Sequence, residues 1–202
     1  MHMPVLKKRK KSGADLSPRL DQDAWMRAGR EALIAGGISA VKVEPLAISL
    51  KVTTGSFYWH FRDRTALLDA LIEDWEGSNS AGLFEAVAEH PGDADAQFDA
   101  LANVWIEESN YSPAWDAAVR DWARIDERAE SAVRRVDDCR IELWRGVFQL
   151  MGYKKPEDFV RARITYFHQV GYYAMDIKEN RQDRLALKPV YLAVLKGTTK
   201  QR

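Results

Sequence analysis

The 202-residue sequence contains one cysteine, Cys139, and four histidines. A single thiol closes no internal disulfide, which points to a reducing, cytoplasmic setting. So few soft ligands leave little material for a zinc site, and neither a metal nor a cofactor is expected. Long apolar runs are also missing. The longest are short stretches such as 191–195, far below the roughly 20 residues a membrane helix needs. The first residues carry charge with no apolar core behind it, so no secretory signal is expected. Glycine and proline number only 12 and 7, which excludes collagen-like and low-complexity chains. Net charge is absent as well, with 30 basic against 30 acidic residues. That balance hides an asymmetry: residues 1–64 carry 12 basic against 6 acidic, and residues 65–202 carry 18 against 24. A basic first third on an acidic remainder suggests that one part meets an anion and the other does not.

What is present reads as helix almost throughout, with no sustained strand alternation and no internal repeat. Lys7 to Lys11 form an unbroken basic run, and residues 1–16 read as a mobile basic arm, either a solvated tail or a DNA contact. Asp21 offers a cap to a first helix, whose Trp25, Ala28, Ala32 and Leu33 recur at helical spacing until Gly36-Gly37. A second short helix begins near Pro45, Thr53 starts a third that runs to about His60, and Asp63 caps a fourth with Leu67, Leu68, Leu71, Ile72 and Trp75 on its apolar face. Residues 76–92 read as a looser stretch separating residues 17–76 from a second helical unit, 77–202. In that unit a long helix carries Ala129, Ala132, Val136, Cys139, Leu143, Val147 and Leu150 as its stripe. Cys139 reads there as a small core residue, and Arg134, Arg135, Arg140 and Arg145, interleaved with Asp137, Asp138 and Glu142, read as a charge-paired solvent face. The fold class is all-α, with about nine helices.

Residues 44–61 hold two short helices joined by a tight turn at Leu50-Lys51-Val52, the layout of a helix-turn-helix. Ala47 is small where the helices cross, and Val52 plugs the angle between them. Thr53, Thr54 and Ser56 place hydroxyls at the start of the second helix, where backbone N–H groups favour a phosphate. Gly55 lets a DNA backbone come close. Phe57 and Phe61 face the core, which leaves Tyr58, Trp59 and His60 on other faces. Catalytic motifs are missing: there is no Gly-rich phosphate loop, no His-Glu-x-x-His and no nucleophile elbow, so an enzyme is not expected.

The run Gly55 to Leu71, with Phe57, Tyr58, Trp59, His60, Phe61, Asp63 and Arg64 in place, closely resembles the DNA-binding signature of the TetR family of tetracycline-repressor-like regulators. The resemblance covers residues 24–75, and beyond residue 93 it is one of helix count and style. It implies a three-helix DNA-binding domain followed by a helical effector-binding and dimerisation domain. Carried across, it places Thr54, Ser56, Tyr58 and Trp59 toward the major groove, with Thr53, Tyr58, His60 and Arg64 as phosphate contacts. The family pattern usually has glycine where this chain has Lys51, which adds a charge near DNA.

The resemblance further implies a homodimer on palindromic double-stranded operator DNA, built by the last two long helices, here residues 157–179 and 183–196. Tyr166, Val170, Gly171, Ala174, Ile177, Leu192 and Leu195 are the candidates, with Gly171 and Ala174 small enough for another helix to approach. The large rings of the second unit suit a cavity for a small lipophilic or aromatic effector, lined by Trp105, Trp115, Trp122, Trp144 and Phe148, with His168 or Tyr172 as an orienting polar group. The reading is therefore a cytoplasmic, ligand-responsive transcriptional regulator, a repressor by preference. The alternative is a helical small-molecule- or partner-binding protein whose helix-turn-helix is degenerate.

Overall fold

The structure is a computed structural model that describes residues 21–197, and it is all-helical over that span. Within those residues nine α-helices follow in order: α1 (Gln22–Gly36), α2 (Val43–Ser49), α3 (Thr54–Phe57), α4 (Arg64–Ala88), α5 (Ala94–Glu107), α6 (Pro113–Trp122), α7 (Glu127–Leu150), α8 (Glu157–Ala174) and α9 (Arg181–Lys196). A short 3-10 turn, Ile38–Ala40, links α1 to α2. The basic run at residues 7–11 and the rest of the expected arm lie outside the described residues. The N-termini are set by side chains that accept the otherwise unpaired backbone N–H groups of the first turn: Asp21 for α1, Asp63 for α4, Asp93 for α5, Ser112 for α6, Asp126 for α7 and Asn180 for α9.

The looser stretch expected over 76–92 is helical as far as Ala88, so α4 runs unbroken for 25 residues across residue 76. Its Ser, Asn and Gly residues are poor helix formers on their own, and distant partners stabilise them here. The Asn79 side chain accepts from the Ser112 amide at 2.7 Å, and Ser80 Oγ accepts from Arg140 at 3.1 Å. Gly82 lies under the loop before α6, where an added Cβ would come within 2.9 Å of Asn110 Cβ.

Two apolar cores result, and they do not divide at the expected domain boundary. The first joins α1, α2, α3 and the start of α4 to Trp115, Val119 and Trp122 of α6 and to Ala129, Ala132 and Val136 of α7. The second joins the end of α4 to α5, the later half of α7, and α8, through Leu83, Phe98, Trp105, Trp144, Phe148 and Tyr166. Helix α6 thus belongs to the core of the helix-turn-helix unit, with the Arg30 guanidinium of α1 seated 3.7 Å over the Trp115 ring.

Between the cores lies a buried polar network. Arg140 donates to Asp116 at 2.9 Å, to Ser80 Oγ and to the Asn79 carbonyl at 3.0 Å. Arg120 bridges Asp116 and Asp137 at 2.6 Å each, and the Tyr166 hydroxyl donates to Asp137 at 2.6 Å. The expected solvent face of α7 is corrected here. Arg134 and Arg135 do pair on the surface with Glu130 and Glu76, but Arg140 is 1% exposed and Cys139 lies on the outside. The inward stripe runs through Arg140 because an inward cation meets Asp116, whereas a thiol at that position would leave the buried carboxylate with Arg120 as its remaining cation.

Candidate functional site

Helices α2 and α3 cross at Ala47, which is buried, and the Val52 amide returns to the Ala47 carbonyl at 3.0 Å to close the turn. Lys51 sits in that turn at φ 58°, the left-handed region that disfavours side chains by roughly 1–2 kcal/mol. Phe57 and Phe61 are buried and stack at 5.4 Å, and Trp25 of α1 meets Phe57 edge-on at 5.2 Å. These three rings fix the helix-turn-helix against α1 and α4. Helix α3 is shorter than the expected run to His60: its regular part ends at Phe57, and residues 58–60 continue as turns.

Anchoring the two phenylalanines inward turns the neighbouring side chains outward. Tyr58 is 61% and Trp59 83% exposed. Lys51, Thr53, Thr54 and Gly55 are exposed beside them, with Ser56 and His60 half-buried. Thr53 occupies the cap position of α3 without making a capping hydrogen bond, so its hydroxyl is not committed to its own helix. Arg64 is corrected. Its guanidinium donates to the Val41 carbonyl and, at 2.7 Å, to that of Ile38, which ties the start of α4 to the turn after α1.

Lys51 combines strain with charge. Lys51→Gly removes the left-handed penalty but adds freedom to the unfolded chain, so a gain of up to about 1 kcal/mol in unfolding free energy is expected, read by urea denaturation. A fall in stability would mean that the lysine side chain holds the turn.

The expected effector residues separate into two groups. Trp105, Trp144, His168 and Tyr172 line one cleft between α5, α7, α8 and α9, with about 590 Å³ of empty space including its open mouth. Trp115 and Trp122 do not join them, because α6 packs on α1 and buries both in the first core. Phe148 is fully buried against Phe98 and Tyr153 and lies behind the cleft wall. His168 is half-buried, its ring 5.0 Å from that of Tyr191, and burial lowers its pKa, favouring the neutral imidazole. Thr165 and Gln169, which no sequence motif singles out, also line the cleft.

Among the dimer candidates Tyr166 is corrected. It is 2% exposed, and its hydroxyl joins the network within the chain. Val170, Leu192 and Leu195 pack against the second core. The outward apolar residues are instead Val160, Ile164 and Phe167 on α8 and Leu187, Val190, Tyr191 and Val194 on α9, with Ala174 and Ile177 exposed beyond them. Gly171 is half-buried, with nothing within 4 Å of where its Cβ would stand. Among the described residues no helix is long and apolar enough to cross a membrane.

Comparison with known proteins agrees with this geometry. Residues 26–71 match the family model for bacterial regulatory proteins of the tetR family. The tetracycline repressor protein class G of Vibrio anguillarum is 42% identical over 55 residues, which cover 27% of this chain and only 26% of that repressor. Two solved structures share the fold over most of the chain. Escherichia coli NemR in its reduced form has a TM-score of 0.65 at 16% identity, covering 86% of this chain and 93% of that one. The ketosteroid transcriptional regulator KstR2 of Mycobacterium tuberculosis has a TM-score of 0.62 at 17% identity, covering 88% and 95%. The helix-turn-helix thus lies in a segment that matches the tetR-family model, and the described chain shares its overall fold with these two proteins.

Proposed function

We propose that the protein binds operator DNA as a homodimer and acts as a repressor released by a small lipophilic or aromatic molecule. The observation that carries the DNA reading is the pair Tyr58 and Trp59, which stand outward while Phe57 and Phe61 hold the same segment inward. Large rings on the surface of a monomer are costly to solubility and mark a contact surface. One recognition segment this short reads too few base pairs for genomic specificity, so two copies on a palindrome are needed, their half-sites about 34–36 Å apart when on adjacent turns.

Helix α9 supports the dimer. None of its residues is buried within the chain, although Leu187, Val190, Tyr191 and Val194 are apolar or aromatic. On α8, Val160, Ile164, Phe167, Gly171 and Ala174 recur at steps of four and three, so they share one face. Two such pairs of helices, one from each copy, would cover each other. The cleft beside Trp105 and Trp144 is the proposed effector site. A molecule that binds it better in one arrangement of the two helix-turn-helix units than in the other shifts the population by its differential affinity, and DNA weakens that molecule by the same factor.

The experiment is selection of random-sequence duplexes by the full chain, followed by gel shift. A palindromic, salt-sensitive complex is the expected result. Gly171→Trp places a bulky ring where the chain itself has open space. It is expected to keep its helical content, sediment as a monomer and lose the selected complex. A Gly171→Trp protein that stays dimeric would move the interface elsewhere. Failure to enrich any sequence would favour a helical binding protein with a degenerate helix-turn-helix.

A further inference from the structure

Among the described residues, three side chains that line the cleft carry a buried polar atom with no hydrogen-bond partner: the Trp144 indole N–H on its wall, and Thr165 and Gln169 on α8. Thr165 Oγ and Gln169 Nε2 are both buried and unpaired, while their residues are 2% and 9% exposed. They stand one turn apart on the same face of α8 and both line the cleft. A buried polar group without a partner destabilises the free protein, so two together at the floor of an apolar cleft mark a place where something else supplies the partner. Both groups can donate: a hydroxyl and an amide N–H₂ point to a ligand oxygen that accepts.

Of the charged lining residues, Lys188 and Arg184 are basic and Glu179 is acidic, and Arg184 is already paired with Glu108 at 3.0 Å. The Lys188 ammonium reaches only a neutral oxygen, Asn103 Oδ1 at 2.7 Å, and has no carboxylate within ion-pairing distance among the described residues. The acidic lining residue, Glu179, accepts from the Tyr172 hydroxyl at 3.1 Å. The walls are flat rings, chiefly Trp105 and Trp144, tilted together at 5.2 Å.

We infer that the cleft takes a planar aromatic carboxylate, its rings against the two tryptophans and its oxygens on Thr165 and Gln169, with Lys188 supplying the positive field. This rests on the reading of the cleft as the effector site. A neutral aromatic carbonyl would use the same donors without the help of Lys188, and a cationic aromatic would leave both donors unpaired and meet Lys188 as a like charge.

The test is titration calorimetry of the full chain with two probes of equal size, 2-naphthoate and 2-naphthylmethylammonium. Saturable binding of the naphthoate and none of the ammonium is expected. Thr165→Val with Gln169→Leu keeps the shape and removes both donors, so naphthoate affinity should fall by about tenfold or more, since hydrogen bonds to a charged group are the stronger kind. The same double variant should melt no lower than the parent in the absence of ligand, an outcome that a purely structural role for these side chains would reverse. Equal binding of both probes, no binding of either, unchanged naphthoate affinity in the double variant, or a lower melting temperature would each overturn the assignment. If the ammonium probe binds and releases selected DNA, the effector reading of the cleft survives and only the carboxylate class is lost. If Leu192→Trp, which fills the cleft, leaves naphthoate binding intact, the site lies elsewhere and both readings fall.

Discussion

Arg140→Met is expected to cost about 3–5 kcal/mol of unfolding free energy, the range for removing one partner of a buried ion pair. The size follows from what the guanidinium leaves behind: the Asp116 carboxylate, the Ser80 hydroxyl and the Asn79 carbonyl all accept from it. Asp116 is 5% exposed. Burial pushes its carboxyl upward, but Arg140 and Arg120 more than offset this and hold it below the usual carboxylate range. A carboxyl whose pKa is lower in the folded than in the unfolded chain stabilises fully above its unfolded value. That contribution is lost as pH falls from about 4 through the folded pKa. The stability gap between the parent and Asp116→Asn should therefore be constant near neutrality and narrow below about pH 4. The double variant should lose less than the sum of the single losses, because each change removes the same Arg140–Asp116 contact. Urea denaturation of the four proteins checks all three expectations. An Arg140→Met protein within about 1 kcal/mol of the parent would show that water enters and solvates the pocket.

That network also shows where reading the sequence stops. The helix-turn-helix was legible because its determinants are local. Asp21 and Asp63 cap the helices they precede, Phe57 and Phe61 are spaced to face inward together, and Lys51 stands where the chain must turn left-handed. The continuation of α4 through Gly77, Ser78, Asn79 and Ser80 was not legible, since the groups that stabilise it, Ser112 and Arg140, lie some 33 and 60 residues away. Nothing in the alternation of charges on α7 distinguishes Arg140 from Arg134 or Arg135. Only the position of Asp116 on a packed neighbour does. The tryptophans failed for a related reason: Trp115 and Trp122 have the same helical spacing as rings that line the cleft, and which core they enter depends on α6 packing against α1.

The surface left by that packing leads to the last expectation, on DNA. Trp59→Ala and Tyr58→Ala should each weaken the selected operator by roughly 1–3 kcal/mol if the ring makes one good contact to a base or phosphate. Their exposures of 83% and 61% mean that little apolar burial is given up within the chain, so stability should stay within about 0.5 kcal/mol of the parent. The Tyr58 ring also meets Phe57 edge-on at 5.3 Å. The form of the weakening separates the roles. If the side chain meets a phosphate, its removal should weaken all sequences alike. If it reads a base, its removal should relax preference at one position of each half-site, symmetric about the dyad. Quantitative gel shifts over a salt series, on the selected site and on single-base variants of it, resolve the two. If both alanine proteins bind the selected site as the parent does, the outward rings of this segment serve some other surface, and DNA must be held by Lys51, Thr53, Thr54 and Ser56.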